Sequence, residues 1–247
     1  HGAMGAAAQL RLIPRNPVAD VTAPKQKPPP KQILNDEQLD TFMAAIQADD
    51  IWRDFFYTEL TTGLRLGEIC GLRWEDFDAE HGVLNIQRTV HVEKGGVLTT
   101  GDTKTYAGTR KIVLPASTVQ CLRERKEAAL TDWIFPNPLK PELPINPRAA
   151  YSRLKVLLKD TGLPSIRFHD LRHTFSTHAL SSGVDAKTLS GILGHSRASF
   201  TLDTYTHVTG DMQKRASEVV GDFLTELLGE ELKPWQSAEN EAAAASN

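Results

Sequence analysis

The 247-residue chain contains only two cysteines, has no excess of positive charge, and has no long apolar run. Each shortage excludes something. Cys70 and Cys121 lie in stretches that read as helical, with no paired framework around them, which excludes a disulfide-built secreted fold and suits a reducing compartment. The expected location is therefore the cytoplasm. No apolar stretch reaches the roughly eighteen residues that a membrane-spanning helix needs, so no membrane partner is expected. The opening "HGAMGAAAQL" lacks the basic-then-apolar layout of a signal peptide, and "HGAMG" at 1–5 reads as the remnant of a tag. A net charge of −3 argues against a uniformly basic nucleic-acid binder. A whole-chain sum hides segregation, however. Residues 140 to 178 carry seven bases (Lys140, Arg148, Arg153, Lys155, Lys159, Arg167, Arg172) against three acids, whereas the stretch from 211 onward carries eight acids against three bases.

What is present is an ordinary globular composition, 40% apolar and 24% charged, enough for one large domain or two small ones. No internal repeat is visible. Residues 6 to 20 read as the close of a helix belonging to an upstream domain, and "TAPKQKPPPKQ" at 22–32 reads as a stiff basic linker, so 6–32 is set apart. From 33 to 229 the pattern is that of one domain, and 230–247 is an acidic, alanine-rich tail expected to be flexible.

Within that domain Asn35 can cap a helix with Gln38 at its third position, and Leu39, Phe42, Met43 and Ile46 follow at helical spacing. A second helix in "IWRDFFYTELTTG" ends at Gly63, and a short third covers about 66–72. Between 82 and 114 the period falls to two: "GVLNIQRTV", "GGVLTT" and "TRKIVLP" predict three antiparallel strands. Helices are expected again at 116–130, 146–161 (Asn146 cap, Pro147 at the first position), 168–182, 185–193, 199–205 and 210–229. The fold class is thus mainly α with a small three-stranded antiparallel sheet.

In "HDLRHTFSTH" at 169–178, His169 and His173 stand one helical turn apart with an acid after the first, which imitates a zinc-hydrolase helix. A third ligand could be His178 or His195. Arg172, three residues after His169, shares its face. Elsewhere, Arg65 follows a turn and begins a short helix, where a guanidinium and backbone N–H groups can face an anion, although pairing with Glu68 is the commoner use of such an arginine. Lys104 flanks a hairpin turn, a usual place for a solubilising lysine. His195 lies just past a glycine at a helix end, where capping is the plainer role, and Tyr205 could be core packing.

Taken in order, "TGLRLGEICGLRW", "TKT", "HDLRHTFSTH", "LGHS" and a tyrosine ten residues after that histidine resemble the catalytic domain of tyrosine recombinases, the phage and conjugative-transposon integrase family, over residues 33 to 229. The resemblance implies a catalytic set of Arg65, Lys104, His169, Arg172, His195 and Tyr205, with no cofactor and no metal. It implies that Tyr205 attacks the scissile phosphorus, that Arg65 and Arg172 bind its non-bridging oxygens, and that His169 exchanges a proton near the nucleophile. Lys104 would protonate the leaving 5′ oxygen and His195 would hydrogen-bond the phosphate. A free tyrosine has a pKa of about 10, so roughly one in a thousand is ionised at neutral pH and the nucleophile needs a base and a cationic setting.

The expected partners are duplex DNA and further copies of the chain, as a tetramer that exchanges a C-terminal helix in trans, with room for an accessory excision factor. That helix carries Val219, Val220, Phe223, Leu224, Leu227 and Leu228 as an apolar stripe, which could equally close its own core. The long hairpin region points to integration and excision of a mobile element. The rival readings are relaxation of supercoils in the manner of a type IB topoisomerase, a silent DNA-binding regulator, and a zinc-dependent hydrolase using His169 and His173. The last leaves Arg65, Lys104 and Tyr205 unexplained.

Overall fold

A computed structural model describes residues 2–22, 32–102, 109–194, 217–219 and 222. The chain divides into two compact units, 1–31 and 32–247. In the first, helix α1 (Gly2–Gln9) is followed by turns, because Arg11 adopts the left-handed region at φ 58°. The helical stretch expected over 6–20 is therefore shorter and begins earlier.

The second unit opens with α2 (Asp36–Gln47). The Asn35 side chain accepts the Gln38 N–H at 2.9 Å while the Gln38 side chain accepts the Asn35 N–H at 3.1 Å, so both ends of the expected capping box close. Helix α3 (Arg53–Thr62) ends at Gly63, which is left-handed at φ 59°. A Cβ at that position would overlap the ring of Phe175, so both the conformation and the close approach require glycine. The short α4 (Leu66–Cys70) and a 3-10 turn at Trp74–Asp76 follow. Gly67 lets α4 lie directly on the backbone at Val90.

The sheet region differs in membership from the expectation. Strands β1 (Phe77–Asp78), β2 (Val83–Ile86) and β5 (Arg110–Val113) form a three-stranded antiparallel sheet in the order β1-β2-β5, while β3 (Arg88–Val92) and β4 (Leu98–Asp102) form a separate pair. The run expected as one strand over 82–90 is thus divided at Gln87. The cause is Asp76, nearly fully buried, whose carboxylate accepts from Gln87 Nε2 at 3.0 Å and from the Arg88 guanidinium, while its backbone carbonyl accepts from Asn85 Nδ2. Satisfying that buried acid turns the chain between the two strands.

Helices α5 (Ala116–Glu127), α6 (Pro147–Asp160), α7 (Phe168–Ser181) and α8 (Ala186–Leu193) complete the described elements. Helix α6 has the Asn146 cap and Pro147 at its first position, as expected. The helices expected at 199–205 and, apart from residues 217–219 and 222, at 210–229 lie outside the described residues. The core is aromatic at its centre: Phe55 meets Phe56, Phe135 and Phe168 edge-on, with centroids 5.4, 5.2 and 6.1 Å away. Helices α7 and α8 share a smaller cluster of Leu180, Leu189 and Leu193. No described helix is long and apolar enough to cross a membrane.

Candidate active site

Three arginines from three elements converge on the C-terminal end of α8. Arg110 Nε donates to the carbonyl of Ile192 at 2.6 Å, Arg172 NH2 to that of Leu193 at 2.6 Å, and Arg65 NH2 to that of Gly194 at 3.1 Å. The last carbonyls of a helix have no partner within it and carry the negative end of its dipole, so they draw cations. Gly194, left-handed at φ 65°, ends α8 there. Arg172 also donates to the carbonyl of Gly63 at 2.7 Å, so one guanidinium ties the ends of α3 and α8 together. It is almost wholly buried. Burial, and next the charge of Arg65, lower its pKa to about 10, which leaves it a cation at neutral pH. Arg65, with a side chain 40% exposed, is the arginine of the three that presents most surface to solvent.

Two carboxyls stand among these cations. Glu68 accepts from Arg110 at 3.0 and 2.8 Å and from Arg65 NH1 at 2.7 Å, and its Oε2 also takes the Arg65 backbone N–H at 3.0 Å. Burial alone would raise its pKa, but the hydrogen bonds and charge of Arg110, followed by those of Arg65, outweigh it and hold the carboxyl down at about 2. Glu59, on α3, is also fully buried, yet neither of its oxygens has a hydrogen-bond partner. Burial pushes its carboxyl well above the usual range, against the pull of Arg172.

His169 stands at the start of α7, on the solvent side, one turn from buried His173, with ring centroids 4.7 Å apart and the rings edge-on. Desolvation by its surroundings, then the charge of Arg172, lowers the His169 pKa, which favours the neutral, proton-accepting ring. The Asp170 carboxylate is engaged by Arg167: it accepts the Arg167 N–H at 2.8 Å and pairs with the Arg167 guanidinium at 2.9 Å. Among the described residues no group of three His, Cys, Asp or Glu side chains is placed to hold a metal ion.

Of the six residues singled out in the sequence, the structure brings together Arg65, His169 and Arg172. Lys104, His195 and Tyr205 lie outside the described residues. Sequence reasoning missed Arg110 and Glu59. Both left a signal: Arg110 shares a strand face with buried Ile112, and Glu59 follows Phe55 and Phe56 on the buried stripe of α3, so each is a charge on an inward face. A groove of about 880 Å³, lined by Tyr57, Trp74, Cys121, Arg125 and Trp133 among others, contains none of the cluster residues.

Residues 32–211 match the model of the phage integrase family. A tyrosine recombinase XerC-like protein of Caldanaerobacter subterraneus subsp. tengcongensis is 30% identical over 213 residues, which is 78% of this chain and 54% of that protein. The transposase from transposon Tn916 of Enterococcus faecalis is 30% identical over 203 residues, 74% of this chain and 49% of its own length. The chain thus spans about half the length of these relatives. The solved structure of the Tn1549 transposon integrase in complex with a circular intermediate DNA superposes with a TM-score of 0.71 at 26% identity, covering 89% of this chain and 76% of that one. A lambda integrase dimer bound to a COC′ core site shares the fold at 21% identity and a TM-score of 0.61.

Proposed function

The chain belongs to the phage integrase family, and from that premise we propose that it is the catalytic part of a site-specific recombinase, which cuts and rejoins duplex DNA through a 3′-phosphotyrosyl intermediate to integrate or excise a mobile element. The observation that carries this reading is the meeting of Arg65 and Arg172 on the last carbonyls of α8, immediately before His195 in the chain, with His169 near enough to feel both charges. A planar guanidinium matches two phosphate oxygens and stays charged, so this pair suits a phosphoryl centre on which charge accumulates.

In the proposed reaction the Tyr205 hydroxyl attacks the scissile phosphorus and passes its proton toward neutral His169. Arg65 and Arg172 hold the non-bridging oxygens, His195 hydrogen-bonds the phosphate, and Lys104 protonates the departing 5′ oxygen. The new P–O bond to tyrosine replaces the broken one to the 5′ oxygen, so the strand can be resealed onto another 5′ hydroxyl without an external energy source. Residues 33–229 form the catalytic domain in this reading, and 6–32 the junction to a domain that helps bind DNA. The Tn1549 transposon integrase, solved in complex with a circular intermediate DNA, and a lambda integrase tetramer bound to a Holliday junction support duplex DNA and further copies of the chain as partners. Exchange of the apolar stripe at 219–228 between protomers belongs to the same proposal.

Covalent trapping tests it. The chain is incubated, with chelator present, with a pool of nicked duplexes that lose a short fragment on cleavage. We expect a DNA-shifted protein on a denaturing gel and none from Tyr205→Phe. An adduct that persists in Tyr205→Phe would remove the assigned nucleophile. Absence of any adduct from protein joined to its upstream domain on its own site would leave a DNA-binding regulator instead.

A further inference from the structure

We infer that Arg110 is a positioning residue of the reaction centre: by occupying Glu68 and the Ile192 carbonyl from the far side, it leaves Arg65 able to take an anion. The inference rests on the reading of the arginine cluster as a phosphate site. Its basis is how the carboxylate is shared. The guanidinium of Arg110, whose side chain is only 7% exposed, approaches Glu68 with two nitrogens, one for each carboxylate oxygen, whereas that of Arg65 approaches with one, at 2.7 Å, beside the Arg65 backbone N–H. The bidentate pair is the stronger arrangement, so Arg110 is the principal counterion of Glu68. Arg65, 40% exposed, is held by that carboxylate in one orientation without being fully neutralised by it.

Charge leads to the same conclusion. Three guanidiniums (Arg65, Arg110, Arg172) share one hydrogen-bonded carboxylate, Glu68, while burial pushes the Glu59 carboxyl well above its usual range and favours its neutral form; with Glu59 neutral, these described side chains carry an excess of two positive charges. A phosphodiester brings one negative charge, and a five-coordinate phosphorane formed from it by an attacking phenolate brings two. Without Arg110, both oxygens of Glu68 would turn on Arg65 and the excess would fall to one.

Arg110 also fixes where that charge sits. Its Nε holds the Ile192 carbonyl, the first of the three successive carbonyls that the arginines share. Since β5 pairs with β2 through Arg110 opposite Ile86, the residue is rooted in the sheet, and it fastens α4 and α8 to that sheet through one side chain. Arg110 thus acts through Glu68 and α8.

The test uses inorganic sulfate, a dianion whose charge does not titrate near neutral pH, added to the full chain at constant ionic strength. The readout is the Nε–H resonance of Arg65. Arg110→Gln is expected to weaken sulfate binding about tenfold, and Arg110→Lys, which keeps the charge, only about threefold. Glu68→Gln is expected to tighten it several-fold, and Arg110→Gln with Glu68→Gln to return near the unmodified chain, since the excess charge is again two. A purely structural Arg110 predicts the reverse, because the double variant loses both partners and should bind no better than the single one. Weaker binding in Glu68→Gln, no recovery in the double variant, or no sulfate response at Arg65 in the unmodified chain each overturns the inference. Glu68→Gln and Arg110→Lys decide the matter even if Arg110→Gln does not fold. Adduct formation by the unmodified chain reports separately: sulfate bound as expected with no adduct on the proper DNA site sinks the recombinase reading alone.

Discussion

Glu59 and Glu68 are both buried, nine residues apart, and face overlapping sets of arginines, yet their carboxyls move in opposite directions. The difference lies in hydrogen bonds. Glu68 has Arg110, Arg65 and a backbone N–H on its oxygens, whereas Glu59 has none and meets Arg172 and Arg110 only through space. The stability each contributes therefore depends on pH with opposite sign. An unfolded glutamate titrates near about 4.3. The folded pKa of Glu68 lies below that, so its contribution is present above about 4.3 and is lost as pH falls toward about 2. The folded pKa of Glu59 lies above it, so its contribution is full in acid and is lost as pH rises through the folded value. Replacing Glu59 with leucine removes a buried group that must either stay protonated or go unpaired, beside Arg172 on α7, Glu68 and Cys70 on α4, and Arg110 on β5. We expect Glu59→Leu to stabilise the chain by roughly 1–3 kcal/mol at pH 8 and by less toward pH 4.5, read from denaturant melts across that range. A variant less stable at every pH would mean that Glu59 serves Arg172 as an ionised counterion.

At the scale of elements, what could be read from the sequence was what local chemistry decides. The Asn35 and Asn146 caps, Pro147 and the left-handed Gly63 each satisfy helix ends with groups a few residues away, and all stand where the spacing put them. The sheet was less legible for a specific reason. Leu84, Ile86 and Val90 are all buried and all of one parity, so alternation runs unbroken across Gln87 even though β2 and β3 belong to different sheets. Only the distant acid Asp76 divides them, and no period reports a partner eleven residues away. The site behaved in the same way: its arginine and histidine types were visible, but the convergence of three guanidiniums on three carbonyls of α8 was not, because backbone acceptors leave no mark in a sequence. That convergence makes α8 part of the site's frame. Its other end is capped by Asp185, whose side chain accepts the N–H groups of Lys187 and Thr188 at 3.0 and 2.9 Å. Asp185→Ala should lower stability, since it removes the acceptor for two otherwise unpartnered N–H groups at the helix start. Hydrogen exchange should rise in α8, and anion binding at Arg65 should weaken in step. Faster exchange with unchanged anion binding would show that Arg65 does not depend on α8.

For the molecule as a whole, the proposed reaction asks how a chain with a net charge of −3 would hold DNA. Phosphate neutralisation sets the salt dependence of such binding, with a slope of about −0.9 per phosphate contacted on duplex DNA. The basic stretch 140–178 supplies less than its seven cations suggest. Arg153 pairs with Asp49, Lys155 donates to Ser165 and to the Ile166 carbonyl, Arg167 pairs with Asp170, and Arg172 serves the two helix ends. Lys140, Arg148 and Lys159 are the exposed remainder. With those three, and with Arg65 and Arg172 sharing one phosphate, the chain should neutralise about four phosphates, giving a log–log slope of about −3.6 on duplexes of mixed sequence. Fluorescence anisotropy from 50 to 300 mM salt measures it. A slope steeper than about −6 would require cations beyond these, and Lys25, Lys27 and Lys31 of the proline-rich stretch form one such group. Truncation to residues 32–247, which retains every residue of the main hydrophobic core, distinguishes the two cases. If the linker lysines grip DNA, the truncated chain loses the extra slope, whereas an unchanged slope places the grip within the 32–247 unit itself.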